Sequence, residues 1–210
     1  QARGGSRPGI QSVMSTGGLL GGAGFGGNSG KVRAIKSVGW KTGNSNSRAL
    51  IWVSGTSIKM EDGNSFTNVE GVGIEDSGRT TIAELNQKAY IAKSTDGWVV
   101  EVDPKTKTSK VLEPGENEDG TKKGEVPQNC NIVATWRSRL VLADGDDPTE
   151  IFMSRIGDPT DWDYTKKDSS RAVKLSATWA GVTPQPVRAL IPNTDDCLIV
   201  GCDQQIWVLR

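Results

Sequence analysis

Residues 131–156 read NIVATWRSRLVLADGDDPTEIFMSRI and contain three short apolar runs separated by two polar turns. The runs are rich in Val, Ile and Leu, while Gly, Asp and Pro lie between them, which is typical of β-strands joined by tight turns. Similar stretches begin at residues 32, 81 and 187, so successive starts are 49, 50 and 56 residues apart. The stretch is therefore one unit of an internal repeat.

The length and content of this repeat predict the fold class. A period of about 40–50 residues with several strands per unit is typical of the blades of a β-propeller. A single blade has two faces to cover, and blades packed around an axis cover one another. From residue 31 onward no helical periodicity competes with the strand pattern. The sequence therefore predicts an all-β fold, a propeller-like array of antiparallel blades with about four repeats.

The N-terminal segment has a different composition from the repeats. The stretch GGLLGGAGFGGNSG (17–30) is mostly glycine and cannot offset the entropy lost on ordering. We predict a Gly-rich extended or flexible arm over 1–30 and a β-propeller-like domain over 31–210; the alternative is an arm that orders against a neighbouring subunit. Because there is no initiator Met and the fourth unit ends within its third strand, we expect a fragment of a larger subunit with further blades outside it.

Each repeat carries a tryptophan at a similar place, namely Trp52, Trp98, Trp136 and Trp207. A tryptophan that recurs once per blade packs between neighbouring blades more often than it stacks on a ligand. We therefore predict blade packing for these four residues.

The composition excludes several classes of function. There is no histidine, which removes Ser-His and Cys-His nucleophile activation and the most common metal ligand. Lys and Arg total 25 and Asp and Glu total 25, so the chain lacks the one-sided positive charge used to hold phosphate backbones. Three cysteines without a CxxC motif are expected to be reduced thiols. We expect no cofactor, no metal and no membrane span.

Two acidic loops are the remaining candidates for a metal-binding or catalytic site. ADGDDPTE (143–150) and GDPTDWD (157–163) place carboxylates at alternate positions, as calcium loops do, but neither matches the EF-hand pattern. Asp also caps its own turn, and we interpret these loops as solvated turns. Paired carboxylates on a propeller would permit a glycoside hydrolase acting on host-surface glycans, and this hypothesis stays open as an alternative. A monomeric propeller that serves as an interaction module is the other alternative.

One longer stretch resembles a known family. The sequence RLVLADGDDPTEIFMSRIGDPTDWDY (139–164), followed by VRALIPNTDDCLIVGCDQQIWVLR (187–210), is similar to two consecutive units in tail proteins of short-tailed bacteriophages. SRPG at residues 6–9 is similar to an Arg-Pro-Gly found early in that family. These proteins are the tail nozzle proteins, also called tail tubular protein B, and the related tail hub proteins.

The resemblance implies a virion structural protein and not an enzyme. It implies a homo-oligomeric ring, a hexamer in this family, located in the virion tail and assembled in the host cytoplasm. The ring would contact the adaptor or portal-side ring and the tail fibres, and DNA would pass through its lumen during ejection without sequence-specific binding. The sequence does not distinguish a nozzle from a hub.

Within this framework the corner at residues 154–164, SRIGDPTDWDY, receives a structural interpretation. Gly157, Asp158 and Pro159 are predicted to turn the chain out of a blade strand. Trp162 and Tyr164 are predicted to fold back over the blade edge as a cap or a subunit contact. We therefore predict a structural corner and no catalytic or cofactor-binding residue.

Overall fold

The structure, a computed structural model, describes residues 32–63, 65–76, 78–176 and 185–210. The described residues form β-strands and no helix, and the strands make four sheets arranged as blades of a β-propeller. The predicted all-β propeller fold is confirmed. The predicted arm over 1–30 lies outside the described residues.

The four sheets follow one another along the chain. Sheet 1 has the order β1 (Val32–Thr42), β2 (Ser45–Ser54), β3 (Ser57–Asp62), β4 (Ser65–Asn68). Sheet 2 has the order β5 (Glu70–Gly71), β9 (Thr108–Val111), β8 (Val100–Asp103), β7 (Lys88–Ala92), β6 (Thr81–Leu85). Sheet 3 has the order β10 (Ile132–Trp136), β11 (Arg139–Ala143), β12 (Glu150–Met153), β13 (Val173–Ser176). Sheet 4 has the order β14 (Val187–Thr194), β15 (Cys197–Cys202), β16 (Ile206–Leu209).

The innermost strand of each sheet begins at or within one residue of a predicted repeat start. These strands, β1, β6, β10 and β14, also contact one another in sequence order, as the innermost strands of a propeller do. All pairings are antiparallel except that of β5, which joins the outer edge of sheet 2 in parallel to β9. The strands β4, β9 and β13, fourth in their repeats, were not predicted, because they are short and carry few apolar residues.

Three hydrophobic cores lie between consecutive sheets, and β11 shows why. All five of its residues are buried, and alternate side chains of a strand point to opposite faces of the sheet. Leu140 and Leu142 belong to the core shared with sheet 2, whereas Val141 and Ala143 belong to the core shared with sheet 4. A middle strand with a run of consecutive apolar residues, such as residues 140–143, is thus the sequence signature of a blade packed on both sides.

The outer face of sheet 4 is the exception to this burial. Ile191 is paired with Ile199, and Ile199 with Val208, so the three side chains share one face. This face points away from the core with sheet 3, which contains Leu198 and Val200. We refer to the side chains of Ile191, Ile199, Ile206 and Val208 as the outer face of sheet 4.

The hairpin between β10 and β11 uses a strained backbone. Arg137 and Ser138 have φ angles of +50° and +55°, and Trp136 pairs directly with Arg139 across the turn. Two successive residues with positive φ define the type I′ turn, for which glycine is favoured at the second position. A side chain at such a position is strained relative to glycine.

We therefore expect Ser138→Gly to raise the free energy of unfolding by about 0.5–1 kcal/mol, because glycine adopts positive φ without a Cβ clash. The backbone carbonyl of Ser138, which accepts a hydrogen bond from the Gly157 amide, is retained. Urea unfolding would measure the change. The matched control Ser37→Gly lies within β1 and should be destabilising; equal effects of both substitutions would contradict the strain argument.

Candidate functional site

The corner at residues 154–164 lies at the ends of the innermost hairpins of sheets 2 and 3. The Gly157 amide donates to the Ser138 carbonyl at 2.7 Å, and the side-chain amide of Asn86 donates to the Gly157 carbonyl at 2.9 Å. Gly157 has a φ of +74°, which glycine adopts readily. The corner therefore bridges two neighbouring blades.

Trp162 is a component of the core between sheets 2 and 3. Its side chain is fully buried, and its indole Nε1 donates to the Pro159 carbonyl at 2.9 Å. Its backbone amide donates to the Lys123 carbonyl at 2.8 Å. Tyr164 is half-buried against the same core, and burial raises the pKa of its hydroxyl. Both aromatic residues predicted for the corner thus fold back onto their own chain.

The turn chemistry of the corner repeats elsewhere in the chain. At Asp158 the carboxylate accepts hydrogen bonds from the amide and the hydroxyl of Thr160, at 2.9 and 2.7 Å. The same Asp-x-Thr or Asp-x-Ser arrangement occurs at four further places, which begin at Asp119, Asp147, Asp163 and Asp168. These carboxylates cap their own turns, which is the ordinary role of aspartate in loops.

The carboxylate of Asp158 is also paired with a cation. Its second oxygen lies 3.2 Å from the Lys123 Nζ. Burial by itself would raise the pKa of Asp158, but the hydrogen bonds from Thr160 and the charge of Lys123 outweigh it and hold the pKa below its usual value. The charged form is therefore the one that stabilises the corner.

A buried arginine supports the corner and was not predicted. The Arg139 guanidinium donates to the carbonyls of Ser154 and Arg171, at 2.7 and 2.6 Å. Arg139 follows the turn after Trp136, yet it is 7% exposed, and burial lowers its pKa. Arg137 lies over the Trp136 ring, 4.6 Å from its centroid.

The four tryptophans predicted to pack between blades occupy different environments. Trp136 and Trp207 lie in the core between sheets 3 and 4. Trp52 is buried on the face of sheet 1 that points away from sheet 2, where it makes an edge contact with Phe66 at a centroid distance of 5.3 Å. Trp98 is half-buried in the turn before β8, outside the three cores.

A cavity of about 740 Å³ lies beside the corner and is lined by residues of both acidic loops, 143–150 and 157–163. Its aromatic lining is Phe152, Trp162 and Tyr164. Its carboxylates are Glu125, Asp146, Asp147, Glu150 and Asp163. Within residues 32–63, 65–76, 78–176 and 185–210, no cluster of three or more potential metal ligands occurs. The three cysteines are free thiols.

The pKa values of two of these carboxylates are shifted in the direction opposite to that needed for a general acid. Hydrogen bonds from Thr149 lower the pKa of Asp147, and hydrogen bonds from Thr165 lower the pKa of Asp163. A glycosidase needs one carboxyl group whose pKa is raised, so that it is protonated at working pH. Asp147 and Asp163 are therefore suited to turn capping and not to proton donation.

Comparison with known proteins identifies the fold and no family. No family model matches the sequence, and no curated protein matches it. The extracellular domain of a hybrid two-component system of B. thetaiotaomicron matches with a TM-score of 0.54 and 12% identity over 87% of this chain. Hsv2 of Kluyveromyces lactis matches with a TM-score of 0.38 and 12% identity over 86% of this chain. The chain spans 23% and 60% of those two structures. The first likeness supports the propeller fold.

Among the described residues, no helix has the length and hydropathy needed to cross a membrane.

Because Gly124 lies close to the corner, we predict that replacing it with alanine lowers the free energy of unfolding. A Cβ at Gly124 would lie 2.3 Å from the Trp162 carbonyl oxygen, and the residue has a φ of +75°. Gly120 has a φ of +80°, but nothing lies within 4 Å of its Cβ position. We expect Gly124→Ala to cost about 1–3 kcal/mol more than Gly120→Ala, because only the former adds a clash. Urea unfolding would measure both, and equal losses would contradict the packing described.

The charge state of Asp158 predicts a pH dependence. Because its pKa is lower in the folded chain than in the unfolded chain, its contribution to stability is present above the unfolded pKa of about 4 and is lost as the pH falls towards the folded pKa. We expect the urea midpoint to decrease on acidification below about pH 4. Asp158→Asn should be less stable at neutral pH and show a smaller acid-induced decrease; an unchanged pH profile would contradict this role.

Proposed function

We propose that this propeller is a non-enzymatic structural subunit of a short-tailed bacteriophage tail, a nozzle or hub component that forms a homo-oligomeric ring. The ring surrounds the channel through which DNA is ejected and contacts the adjoining ring and the tail fibres. The observation that carries the structural role is the exposed apolar outer face of sheet 4. The resemblance of residues 139–164 and 187–210 to tail proteins supports a phage tail as the assembly in which the protein has this role.

The outer face of sheet 4 is apolar, like the faces that pack between blades, but no described residue covers it. Ile206 is 75% exposed, Ile191 52% and Val208 49%. On the corresponding face of sheet 3, which is covered by sheet 4, Val141 and Ala143 are fully buried. Burying one such side chain contributes about 1.5–3 kcal/mol. A contiguous apolar face of this kind marks an interaction surface.

The cavity beside the corner favours a structural role over catalysis. Two of its aspartates have a lowered pKa and cap turns, and Lys174 pairs with Glu150 at 2.8 Å. The same ammonium group lies 5.2 Å from the centroid of the Phe152 ring. These aspartates, Lys174 and Glu150 therefore interact with neighbouring groups of the same chain. We therefore assign the corner and its cavity to the rigidity of the blade array.

The assembly is tested by native mass spectrometry together with negative-stain images of the purified chain. We expect a closed ring with a central hole, six-fold as in the family that the sequence resembles. Ile206→Asp combined with Val208→Asp should dissociate the ring, because burying unpaired carboxylates on the outer face of sheet 4 is energetically unfavourable.

The matched control is Ile156→Asp, a like substitution at a residue that is 45% exposed on the corner, and it should leave the assembly intact. Circular dichroism confirms that each variant is folded. A wild-type chain that remains monomeric at high concentration would overturn the ring and favour a monomeric interaction module. Glycan cleavage that is lost on replacing a carboxylate of the corner cavity would overturn the non-enzymatic assignment.

A further inference from the structure

A second cavity lies between sheets 1 and 2, at the end of the array where three hairpins meet. Its volume is about 650 Å³, within the range of small-ligand sites. The hairpins are those between β1 and β2, between β3 and β4, and between β8 and β9. Because the cavity is formed by two blades of one chain, it does not depend on the tail assignment or on the oligomeric state.

The inner part of this cavity is apolar and carries an aromatic wall. Met60 and Ala49 are buried residues of the core between sheets 1 and 2, and they line the cavity. Trp40 is half-buried against the same core and lines both this cavity and an adjacent one of about 430 Å³. An indole anchored in this way offers a flat apolar surface, which is suited to packing against the C–H face of a sugar ring.

The rim of the cavity carries cationic groups without ionic partners. Lys41, Arg48 and Lys105 line it and are exposed. Across the described ranges, none of the three has a carboxylate within 4.0 Å, although Lys107 next to them is paired with Asp62 at 2.6 Å. Three uncompensated cations around one cavity favour a ligand that carries negative charge.

Two carboxylates in the lining define what kind of anion fits. Glu61 and Asp62 lie in the same cavity, and Glu61 accepts a hydrogen bond from the Leu50 amide at 3.1 Å. These two carboxylates repel anionic groups and accept hydrogen bonds from hydroxyl groups, so a ligand must place its anionic groups at the cationic rim and its hydroxyl groups near Glu61 and Asp62. A ligand that combines isolated carboxylates with many hydroxyl groups matches this distribution of donors and acceptors.

We propose that the cavity between sheets 1 and 2 binds an acidic saccharide, a glycan containing uronic or related sugar acids, without cleaving it. Trp40 packs against a sugar ring, and Arg48 and Lys105 pair with sugar carboxylates. Glu61 and Asp62 accept hydrogen bonds from sugar hydroxyls. In a tail protein this site would contact acidic polysaccharide at the surface of a host cell.

Isothermal titration calorimetry with the whole chain tests the proposal with three probes: tetragalacturonate, the neutral maltotetraose and a four-nucleotide oligothymidylate. We expect binding of tetragalacturonate and at least about tenfold weaker binding of the other two. The double variant Arg48→Gln, Lys105→Gln should weaken tetragalacturonate binding by about tenfold or more, because each lost charge-assisted hydrogen bond is worth about that factor. Trp40→Ala should also weaken it, and Trp40→Phe should retain part of the affinity.

The control double variant Lys36→Gln, Lys122→Gln removes the same charge from exposed residues that do not line the cavity. It should bind as the wild type does, and thermal unfolding confirms that all variants are folded. Absence of tetragalacturonate binding at millimolar concentration would overturn the proposal, as would an equal loss in the control variant. Oligothymidylate binding as tightly as tetragalacturonate would also overturn it and identify a phosphate site instead.

Discussion

The structure depends on the packing of one sheet face against the next. In sheets 2 and 3 the strands β7 and β11 contribute alternate side chains to two cores. In β11, Leu140 and Leu142 pack towards sheet 2 while Val141 and Ala143 pack towards sheet 4. No single blade could bury both of its faces, because a twisted sheet of three or four strands has no interior of its own. The cores are therefore properties of pairs of blades, and the array is stable only as a series.

The corner at residues 154–164 joins sheets 2 and 3 and leaves the core between them intact. The carboxylate of Asp158 is satisfied, since it caps its own turn and pairs with Lys123. The side chain of Trp162 is inserted into the core between sheets 2 and 3, and Tyr164 packs against that core. The loop thus has a rigid polar exterior and an apolar anchor. The acidic character that first suggested a metal or active-site loop arises from turn capping repeated along the chain.

The sequence predicted parts of this architecture for clear physical reasons. The apolar second strands, Gly and Asp turns and the regular spacing located the starts of β1, β6, β10 and β14, because these signals depend on local chemistry. The short strands β4, β9 and β13 were missed, since few of their residues are apolar. The burial of Arg139 was not predicted either, because its guanidinium is held by the carbonyls of Ser154 and Arg171, which lie 15 and 32 residues away. The tryptophan pattern was interpreted uniformly, yet Trp98 and Trp136 lie in different surroundings.

What the sequence by itself determined is the class of fold and the position of the turn at residues 157–159, because the apolar strand pattern and the turn chemistry of Gly-Asp-Pro act over a few residues. Only the tertiary structure decided which faces are covered and which residues share a cavity. Trp40 and Glu61 lie on two strands of sheet 1, and Lys105, from a hairpin of sheet 2, joins them in one cavity because the two sheets pack together. The exposure of Ile206 likewise follows from the arrangement of the sheets, because a strand with the same pattern is buried wherever another blade lies against it.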